Sequence, residues 1–598
     1  MIPNLPLFFP LALKLTPCDR RTRELNIFSE FIHHQPPHMR KPLFRLLLLV
    51  SLAAMTQSIA TAQPQASARP TANAQNATAP PVPTFDVFYS SASGGGRLTG
   101  RMFVIFAHSD SIEPRLQVGR YGTQFFGVDF INLPPDQAVH IDGSTLGYPI
   151  NEMAAIPPGD YYVQAVLDRY TEFKRADGHT LWMHMDQWEG QDWRRSPGNL
   201  YSKPQKITIG GTSSANSANS ASNAKAQRVP LIVDQAMAPI PEPADTKWVK
   251  HIKIKSKKLT AFWGQPIYIG ATVLLPKDYA AHPDQHYPTI YQEGHFSIAA
   301  PFGFKEDGSN DLSKDWASDS FPSFIAVTIQ HPSPYFDDSY AVNSANNGPY
   351  GDAIQDELIP ELEQQFRCIP QGYARLLTGG STGGWESFAL QVLYPDFYGG
   401  CWAFSPDPLD FNNVEGINIY KDQNAFYKQH EWYRAPTPNT RVPATGEVML
   451  TSAQRNTMEL VNGTHGRSGG QMDIWSAVFG PVGDDGYFKP LFDKSTGVID
   501  STVALYWQQH FDMLYYLQHH WAEVGPKLTG KLHVFAGRMD DFYLNIAVYH
   551  MEDFLSATKD PYYGGSFMYG DRGGHSWRPW TTGQLIRNMA AYLKANGH

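Results

Sequence analysis

A serine lies at the centre of a glycine-rich turn, Gly379-Gly380-Ser381-Thr382-Gly383-Gly384. A strand-like apolar run, 374–378, precedes the turn, and a helix-like run follows it. A strand that turns this sharply into a helix holds a serine exposed in strained backbone geometry, and only glycines let the strand and helix pack so closely. Ser381 is therefore the candidate nucleophile.

A serine hydroxyl becomes a good nucleophile only when a base removes its proton and a carboxylate orients that base. The run 532–536 leads to Asp540 and Asp541, and the run 566–569 leads to His575, so each candidate follows a predicted strand. The chain order Ser, Asp, His is that of the α/β-hydrolases. We predict His575 as the base; a structural role for this histidine is the alternative.

The elements around the turn alternate between strands and helices. Residues 323–330 are predicted to form a buried strand, and 352–366 a helix with an apolar stripe at helical spacing. Pro360 lies inside that helix and predicts a kink. Apolar residues after the serine, from Trp385 to Leu393, are predicted to be core. The fold class predicted for this part is α/β, with a doubly wound α/β-hydrolase sheet.

Four motifs in a fixed order resemble the putative-esterase family of α/β-hydrolases, which includes esterase D, siderophore esterases, feruloyl esterases and mycolyltransferases. They are 350–360, 379–384, 537–544 and 573–577, and the resemblance covers about 260–598. It implies a Ser381, His575 and Asp540 triad, because Asp540 matches the family's G-x-x-D spacing counted from Gly537. Asp541 is the first alternative acid and Asp407 the second.

The oxyanion of an acyl transfer reaction needs two backbone donors. The N–H group of Thr382, next to the serine, is the expected first donor. The loop 292–296 occupies the position of the family's His-Gly oxyanion loop, which makes the His295 N–H the expected second donor. Glu293 departs from the family, since a histidine is common there.

The N-terminus is typical of an exported protein. Residues 1–38 are predicted to be an upstream extension and 39–62 a signal peptide that starts near Met39, with an A-x-A cleavage site at 60–62. Its apolar run is too short to span a membrane, so a periplasmic or secreted chain without a stable membrane span is expected; a retained signal anchor is the alternative.

Composition then divides the remaining chain. Residues 63–84 are predicted to be a disordered linker, 85–210 an all-β sandwich-like domain, 211–228 a Ser/Ala/Asn linker, and 229–598 the catalytic domain. An insertion at about 406–502 is interpreted as a lid or as surface decoration. The aromatic patch 181–193 is interpreted as sandwich core or as a surface that stacks on ligands.

Cysteine and charge patterns limit the partners. Cys368 and Cys401 are the two cysteines after the signal, and we expect a disulfide between them rather than two buried thiols. No zinc-like spacing occurs, no metal or organic cofactor is expected, and a calcium site at Asp186, Glu189 and Asp192 is only weakly indicated. The 48 basic and 57 acidic residues are mixed, which argues against nucleic acid.

These observations predict an exported serine esterase that acts through an acyl-enzyme. Its expected substrate is a small-molecule or polysaccharide-linked ester. An acyltransferase or peptidase with the same triad is an alternative, because one triad serves all three reactions. A catalytically inactive hydrolase fold that serves as a binding module is a further alternative.

Overall fold

The computed structural model describes residues 83–184, 188, 190–210 and 228–598, and these residues lie in one compact unit. The predicted extension and signal peptide lie outside the described residues, as do 63–82 and 211–227 of the two predicted linkers. Asp186 and Glu189 of the calcium hypothesis also lie outside them, whereas Asp192 is described and pairs with Arg194. Among the described residues, no helix is long and apolar enough to cross a membrane.

The N-terminal part of the described chain consists mainly of short strands. They are β1 (Thr84–Phe88), β2 (Leu98–Ala107), β3 (Gln124–Leu133), β4 (Val139–Ile141), β5 (Gly147–Tyr148), β6 (Gly159–Arg169), β7 (Thr171–Lys174), β8 (Thr180–Met183), β9 (Leu200–Tyr201), β10 (Gln205–Ile209), β11 (Arg228–Ile232) and β12 (Gln235–Ala236). One short helix, α1 (Ser91–Gly94), follows β1.

Two of the sheets in this part pack face to face. A three-stranded sheet has the order β11-β1-β4, and a seven-stranded sheet has the order β12-β9-β6-β2-β3-β5 with β10 paired to β6. Alternate residues of β1 and β2, such as Phe85, Val87, Met102 and Val104, are buried in one cluster between the sheets. This alternation is the period of two that a strand with one core face requires.

The position of β11 and β12 differs from the predicted domain boundary. Both strands begin at or close to residue 229, where the catalytic domain was predicted to start, yet they pair with β1 and β9 of the N-terminal sheets. Val229 and Leu231 fill the sandwich core. Their alternating apolar pattern fits either sheet, so the sequence alone did not assign them. The remaining domain limits stay predictions.

The part predicted to be catalytic is built on an eight-stranded sheet of the order β13-β14-β16-β15-β19-β20-β25-β26. The pairs β13-β14 and β14-β16 are antiparallel, and the other five neighbouring pairs are parallel. Its strands are β13 (Val249–Ser256), β14 (Ile267–Leu274), β15 (Thr289–Glu293), β16 (Ile325–Gln330), β19 (Arg375–Gly380), β20 (Gly400–Phe404), β25 (Leu532–Gly537) and β26 (Ser566–Gly570); β17 (Asn343–Ser344) and β18 (Gly348–Pro349) form a separate pair.

Helices cover both faces of this sheet. They are α2 (Lys257–Trp263), α3 (Asp311–Trp316), α4 (Tyr350–Ala353), α5 (Ile359–Phe366), α6 (Thr382–Leu393), α9 (Ser501–Phe511), α10 (Met513–Leu528), α11 (Asn545–Ala557) and α12 (Thr582–Ala595). Neighbouring residues of β19 point to opposite faces: Leu376 packs with α3 and α12, whereas Leu377 packs with α4, α5 and α6. The α/β class is thus observed. A π-helical turn, Ile354–Leu358, precedes Pro360 where a kink was predicted.

The segment predicted as an insertion contains regular elements. They are β21 (Tyr427–Gln429), β22 (Arg434–Pro436), β23 (Pro438–Arg441), β24 (Val448–Thr451), α7 (Ser452–Asn462) and α8 (Gln471–Phe479). Helix α7 packs through Met458 and Val461 on the outer face of the seven-stranded sheet, beside Phe103 and Trp193. The described β-rich part and the insertion therefore share a core.

The expected disulfide is wrong. Cys368 and Cys401 are both free thiols, and both are buried in the core of the sheet. The sequence suggested adjacent strands, but Cys368 precedes β19 and bridges to Tyr287, whereas Cys401 pairs with Leu377 inside the sheet. Both thiols behave as small apolar core residues.

Candidate active site

Ser381 lies in the turn between β19 and α6 with φ 58° and ψ −122°. This positive φ is strained for a residue with a side chain. The flanking glycines are required by close contacts: a Cβ on Gly379 would lie 2.4 Å from the Gly383 carbonyl oxygen, and one on Gly383 would lie 2.1 Å from that of Glu293. The turn therefore has the geometry of a nucleophile elbow.

His575 and Asp540 are brought together from the ends of two neighbouring parallel strands, β26 and β25. The His575 Nδ1 atom lies 2.8 Å from Asp540 Oδ2. Asp540 is fully buried, and its other oxygen accepts the backbone N–H groups of Phe542 at 2.9 Å and Leu544 at 3.3 Å. These bonds hold the carboxylate in one orientation, so it can fix the tautomer of the His575 ring.

Asp541 makes a different contact with the same histidine. Its Oδ2 atom accepts the backbone N–H of His575 at 2.6 Å. Of the two adjacent carboxylates, Asp540 contacts the ring and Asp541 contacts the loop that carries it. The two residues are adjacent in the turn that follows β25. The conformation of this loop therefore decides which of the two carboxylates contacts the ring.

The electrostatics favour a basic imidazole. Burial opposes the charged ring, but the hydrogen bond and charge of Asp540, together with the charge of Asp407, raise the pKa of His575 above its ordinary value. The ring is also packed edge-on against Phe542, with 4.9 Å between the ring centroids. A histidine held in this way can accept a proton and stabilise it as an imidazolium.

Asp407, the second alternative acid, lies on the nucleophile side of the site. Ser381 Oγ donates to Asp407 Oδ1 at 3.3 Å, and Thr382 Oγ1 donates to Asp407 Oδ2 at 3.1 Å. Tyr340, Gln471 and Trp475 also donate to this buried carboxylate. Burial raises the pKa of Asp407 despite these donors. Sequence reasoning did not indicate that Tyr340, in the loop after β16, or Gln471 and Trp475, in α8, would contact Asp407.

The two expected oxyanion donors flank the elbow. Thr382 begins α6, where backbone N–H groups lack acceptors within the helix. His295 follows β15, which is paired to β19, and its Nδ1 lies 3.1 Å from Asp337 and 2.8 Å from Asp338. Burial opposes its charge, but the two carboxylates raise the pKa of His295 well above its usual value. The ion pairs anchor the loop beside the elbow.

A buried polar cluster lies under the elbow and is one of two groups in the described part of the chain whose side chains are close enough together to be tested as a metal site, the other being His295 with Asp337 and Asp338. Side-chain atoms of Glu293, His331 and Glu386 lie within 4.8 Å of one another. However, His331 Nδ1 accepts the backbone N–H of Ser339 at 3.0 Å, so a neutral ring carries its proton on Nε2, the atom that faces Glu386. A protonated nitrogen is not a metal ligand, and the cluster therefore does not fit a metal.

Neutral groups account for this cluster instead. Burial raises the pKa of Glu293 to about 8 and that of Glu386 well above its usual value. Burial lowers the pKa of His331 to about 4. Near neutral pH the cluster thus holds protonated carboxyl groups around a neutral imidazole. Glu293, where the family has a histidine, is one of these neutral groups.

A comparison with protein-family models identifies one relationship. Residues 267–473 match the model named Putative esterase. The resemblance predicted from the motifs is confirmed for this segment, which contains Ser381, Thr382 and His295, whereas Asp540 and His575 lie beyond it. The segment is therefore similar to a family of esterases. No curated protein is similar enough in sequence to match the chain.

Solved structures give distant similarities. A ferulic acid esterase is 14% identical, with a TM-score of 0.32, and covers 58% of this chain and 98% of its own. The fluorophosphonate-binding serine hydrolase FphF of Staphylococcus aureus is 14% identical, with a TM-score of 0.33 and the same two coverages of 58% and 98%. An S-formylglutathione hydrolase from Agrobacterium tumefaciens is 13% identical, with a TM-score of 0.32, and the match covers 59% of this chain and 96% of the hydrolase.

Proposed function

We propose that this protein is an α/β-hydrolase-fold serine esterase that cleaves a carboxylic ester through an acyl-enzyme. The observation that carries the proposal is that Ser381 occupies a strained elbow while His575 contacts Asp540 at 2.8 Å at the ends of strands in the same sheet. A strained serine turn and a carboxylate-oriented histidine are the two parts that nucleophilic acyl transfer requires. The match of 267–473 to an esterase family supports the same reaction.

The chemistry follows from these groups. His575 Nε2 takes the Ser381 hydroxyl proton while Oγ attacks the ester carbonyl carbon, and the oxyanion is bound by the N–H groups of Thr382 and His295. The carbon–oxygen bond to the alcohol breaks, and His575 returns the proton to the leaving alkoxide. Water then attacks the acyl-enzyme, His575 takes its proton, and the acid leaves as Ser381 regains its hydrogen.

The proposal also includes export. The signal predicted at 39–62 would deliver the chain to the periplasm or the medium, where its substrate would be a small-molecule or polysaccharide-linked ester. No metal or organic cofactor takes part in the proposed steps, since the serine, the imidazole and water supply every group that they need.

Covalent labelling tests the mechanism. The chain starting at Gln63 is exposed to a fluorophosphonate probe, and hydrolysis of 4-nitrophenyl acetate is followed in parallel. We expect labelling and turnover in the wild type and their loss in Ser381→Ala and His575→Ala. Ser576→Ala, which changes an exposed serine next to His575, is the matched control and keeps both activities. A folded wild type that is not labelled would contradict the proposal and favour a binding module.

A further inference from the structure

A cavity of about 360 Å³ lies where the N-terminal sheets meet the catalytic part. Its walls come from three separate regions of the chain: the N-terminal sheets, the loop after β16, and helix α7 with the segment that follows it. The lining residues used below are Arg120, Phe125, Trp193, Asp337, Asn462 and Ser468. The cavity combines aromatic surface with charged and amide groups, which is the usual composition of a ligand site.

The cavity borders the candidate active site on two sides. The Arg120 guanidinium lies over the ring of Phe542 at 4.9 Å, and the Phe542 ring contacts that of His575 with 4.9 Å between centroids. On the other side, Asp337 lines the cavity and lies 3.1 Å from the His295 ring. Phe542 therefore lies between Arg120 and the proposed general base His575, and Asp337 links the cavity to the loop that carries His295.

Arg120 is the half-buried cation of this cavity. Within the described residues no carboxylate lies within ion-pair distance of its guanidinium, which interacts with the Tyr121 side chain and the Phe542 ring. The neighbouring cations are neutralised, since Arg194 pairs with Asp192 at 2.7 Å and Arg455 with Glu459 at 3.3 Å. Glu415 acts on Arg120 from a longer distance and is itself bonded to Asn439. A guanidinium with no carboxylate bonded to it can still bind an anion, and its planar fork suits a carboxylate.

We propose that this cavity binds a carboxylate group of the substrate, with Arg120 as its counter-ion. The inference rests on the proposed esterase function and narrows its substrate to esters that carry a negative charge on the acyl or alcohol side. Phe125 and Trp193 supply apolar walls for the carbon skeleton next to the carboxylate. The N-terminal β part is thereby a substrate-binding element of the enzyme.

Matched pairs of esters test the proposal on the chain starting at Gln63. The alcohol-side pair is 4-acetoxybenzoate and 4-acetoxybenzamide, and the acyl-side pair is 4-nitrophenyl hydrogen succinate and 4-nitrophenyl butyrate. The measured quantity is the ratio of kcat/KM for the anionic ester to that for the neutral one. The pair that responds shows whether the charge belongs on the acyl or the alcohol side. In at least one pair, we expect Arg120→Gln to lower this ratio roughly tenfold or more, and Arg120→Lys to give a ratio between those of Arg120→Gln and the wild type.

Arg169→Gln is the control for the loss of one positive charge. Arg169 is exposed at the end of β6 and donates to the Gly198 carbonyl group, so we expect both ratios to stay at the wild-type values. Ratios that are the same in the wild type and in Arg120→Gln would overturn the carboxylate site and leave the esterase proposal intact. A wild type that hydrolyses none of the four esters would overturn both.

Inhibition of the wild type gives a second measurement that does not depend on the folding of a variant. Benzoate and benzamide are tested as competitive inhibitors of the hydrolysis of a neutral ester. We expect the inhibition constant of benzoate to be at least about tenfold lower than that of benzamide. Equal inhibition by the two compounds would overturn the carboxylate site.

Discussion

The Ser381 hydroxyl donates a hydrogen bond to the Asp407 carboxylate, with 3.3 Å between Oγ and Oδ1. The candidate nucleophile thus contacts a carboxylate other than Asp540, which orients His575. Asp407 also acts on the histidine, since its charge contributes to the raised pKa of His575. The site therefore contains two buried carboxylates with different positions relative to the imidazole.

Asp407→Asn is expected to shift the pH dependence of hydrolysis. The carboxylate stabilises the charged imidazole, so its removal lowers the pKa of His575. Because catalysis needs the neutral ring, the acid limb of the plot of kcat/KM against pH moves to lower pH. Asp422→Asn, which changes a carboxylate paired with Lys428, is the control. An unchanged acid limb in Asp407→Asn would contradict the electrostatic role.

Replacing each of the two adjacent aspartates separates their roles. Asp540→Asn removes the carboxylate on the ring, and we expect kcat to fall about a thousandfold or more. Asp541→Asn keeps an oxygen that can accept the His575 backbone N–H, so we expect kcat of this variant to fall by no more than about tenfold. Steady-state kinetics with 4-nitrophenyl acetate measure both. A larger loss in Asp541→Asn would reverse the assignment.

Glu293→Gln is expected to change how stability depends on pH. The unfolded chain ionises Glu293 above its ordinary pKa of 4.5, whereas burial keeps the folded group protonated up to about 8. Folding therefore becomes less favourable as the pH rises between these values. Over this pH interval, the free energy of unfolding of Glu293→Gln should rise relative to that of the wild type by roughly 1.4 kcal/mol per pH unit.

Urea unfolding at pH 5 and pH 8 measures this difference for Glu293→Gln. Glu447→Gln, at an exposed position, serves as the control and should follow the wild type. If the free energies of unfolding of the wild type and Glu293→Gln change in parallel with pH, Glu293 is not a buried neutral acid.

The two cysteines are expected to react only after unfolding. Burial raises the pKa of Cys368 to about 11 and that of Cys401 to about 12, so neither forms a reactive thiolate in the native protein. Ellman's reagent should detect no thiol in the native chain starting at Gln63 and two in guanidinium chloride without a reductant. Two thiols that appear only after reduction would reveal a disulfide.

Arg101 is expected to hold the N-terminal sheet to the insertion. Its buried side chain donates to the carbonyl oxygens of Val461 at 2.9 Å and Leu460 at 3.0 Å and pairs with Asp129 at 2.6 Å. Arg101→Met leaves these acceptors without a donor, and we expect a loss of about 3 kcal/mol in the free energy of unfolding. Arg97→Met, at an exposed arginine, should change stability little; an equal loss in both would contradict this role.

The sequence by itself determined the features that depend on neighbouring residues. The elbow at Ser381 follows from glycines at fixed positions around one serine, and each later candidate follows an apolar run that forms a strand. The alternation of strands and helices predicted the α/β class, because the two periods of apolar residues differ. The motif order was sufficient to identify the esterase resemblance.

Only the tertiary structure decided the features that depend on residues distant in the chain. The choice between Asp540 and Asp541 depends on where one loop points, and the contacts of Asp407 depend on three other segments. The assignment of β11 to the N-terminal sheet and the position of Arg120 beside Phe542 join residues more than a hundred positions apart. Such contacts have no local pattern, since packing and hydrogen bonding across the folded chain create them.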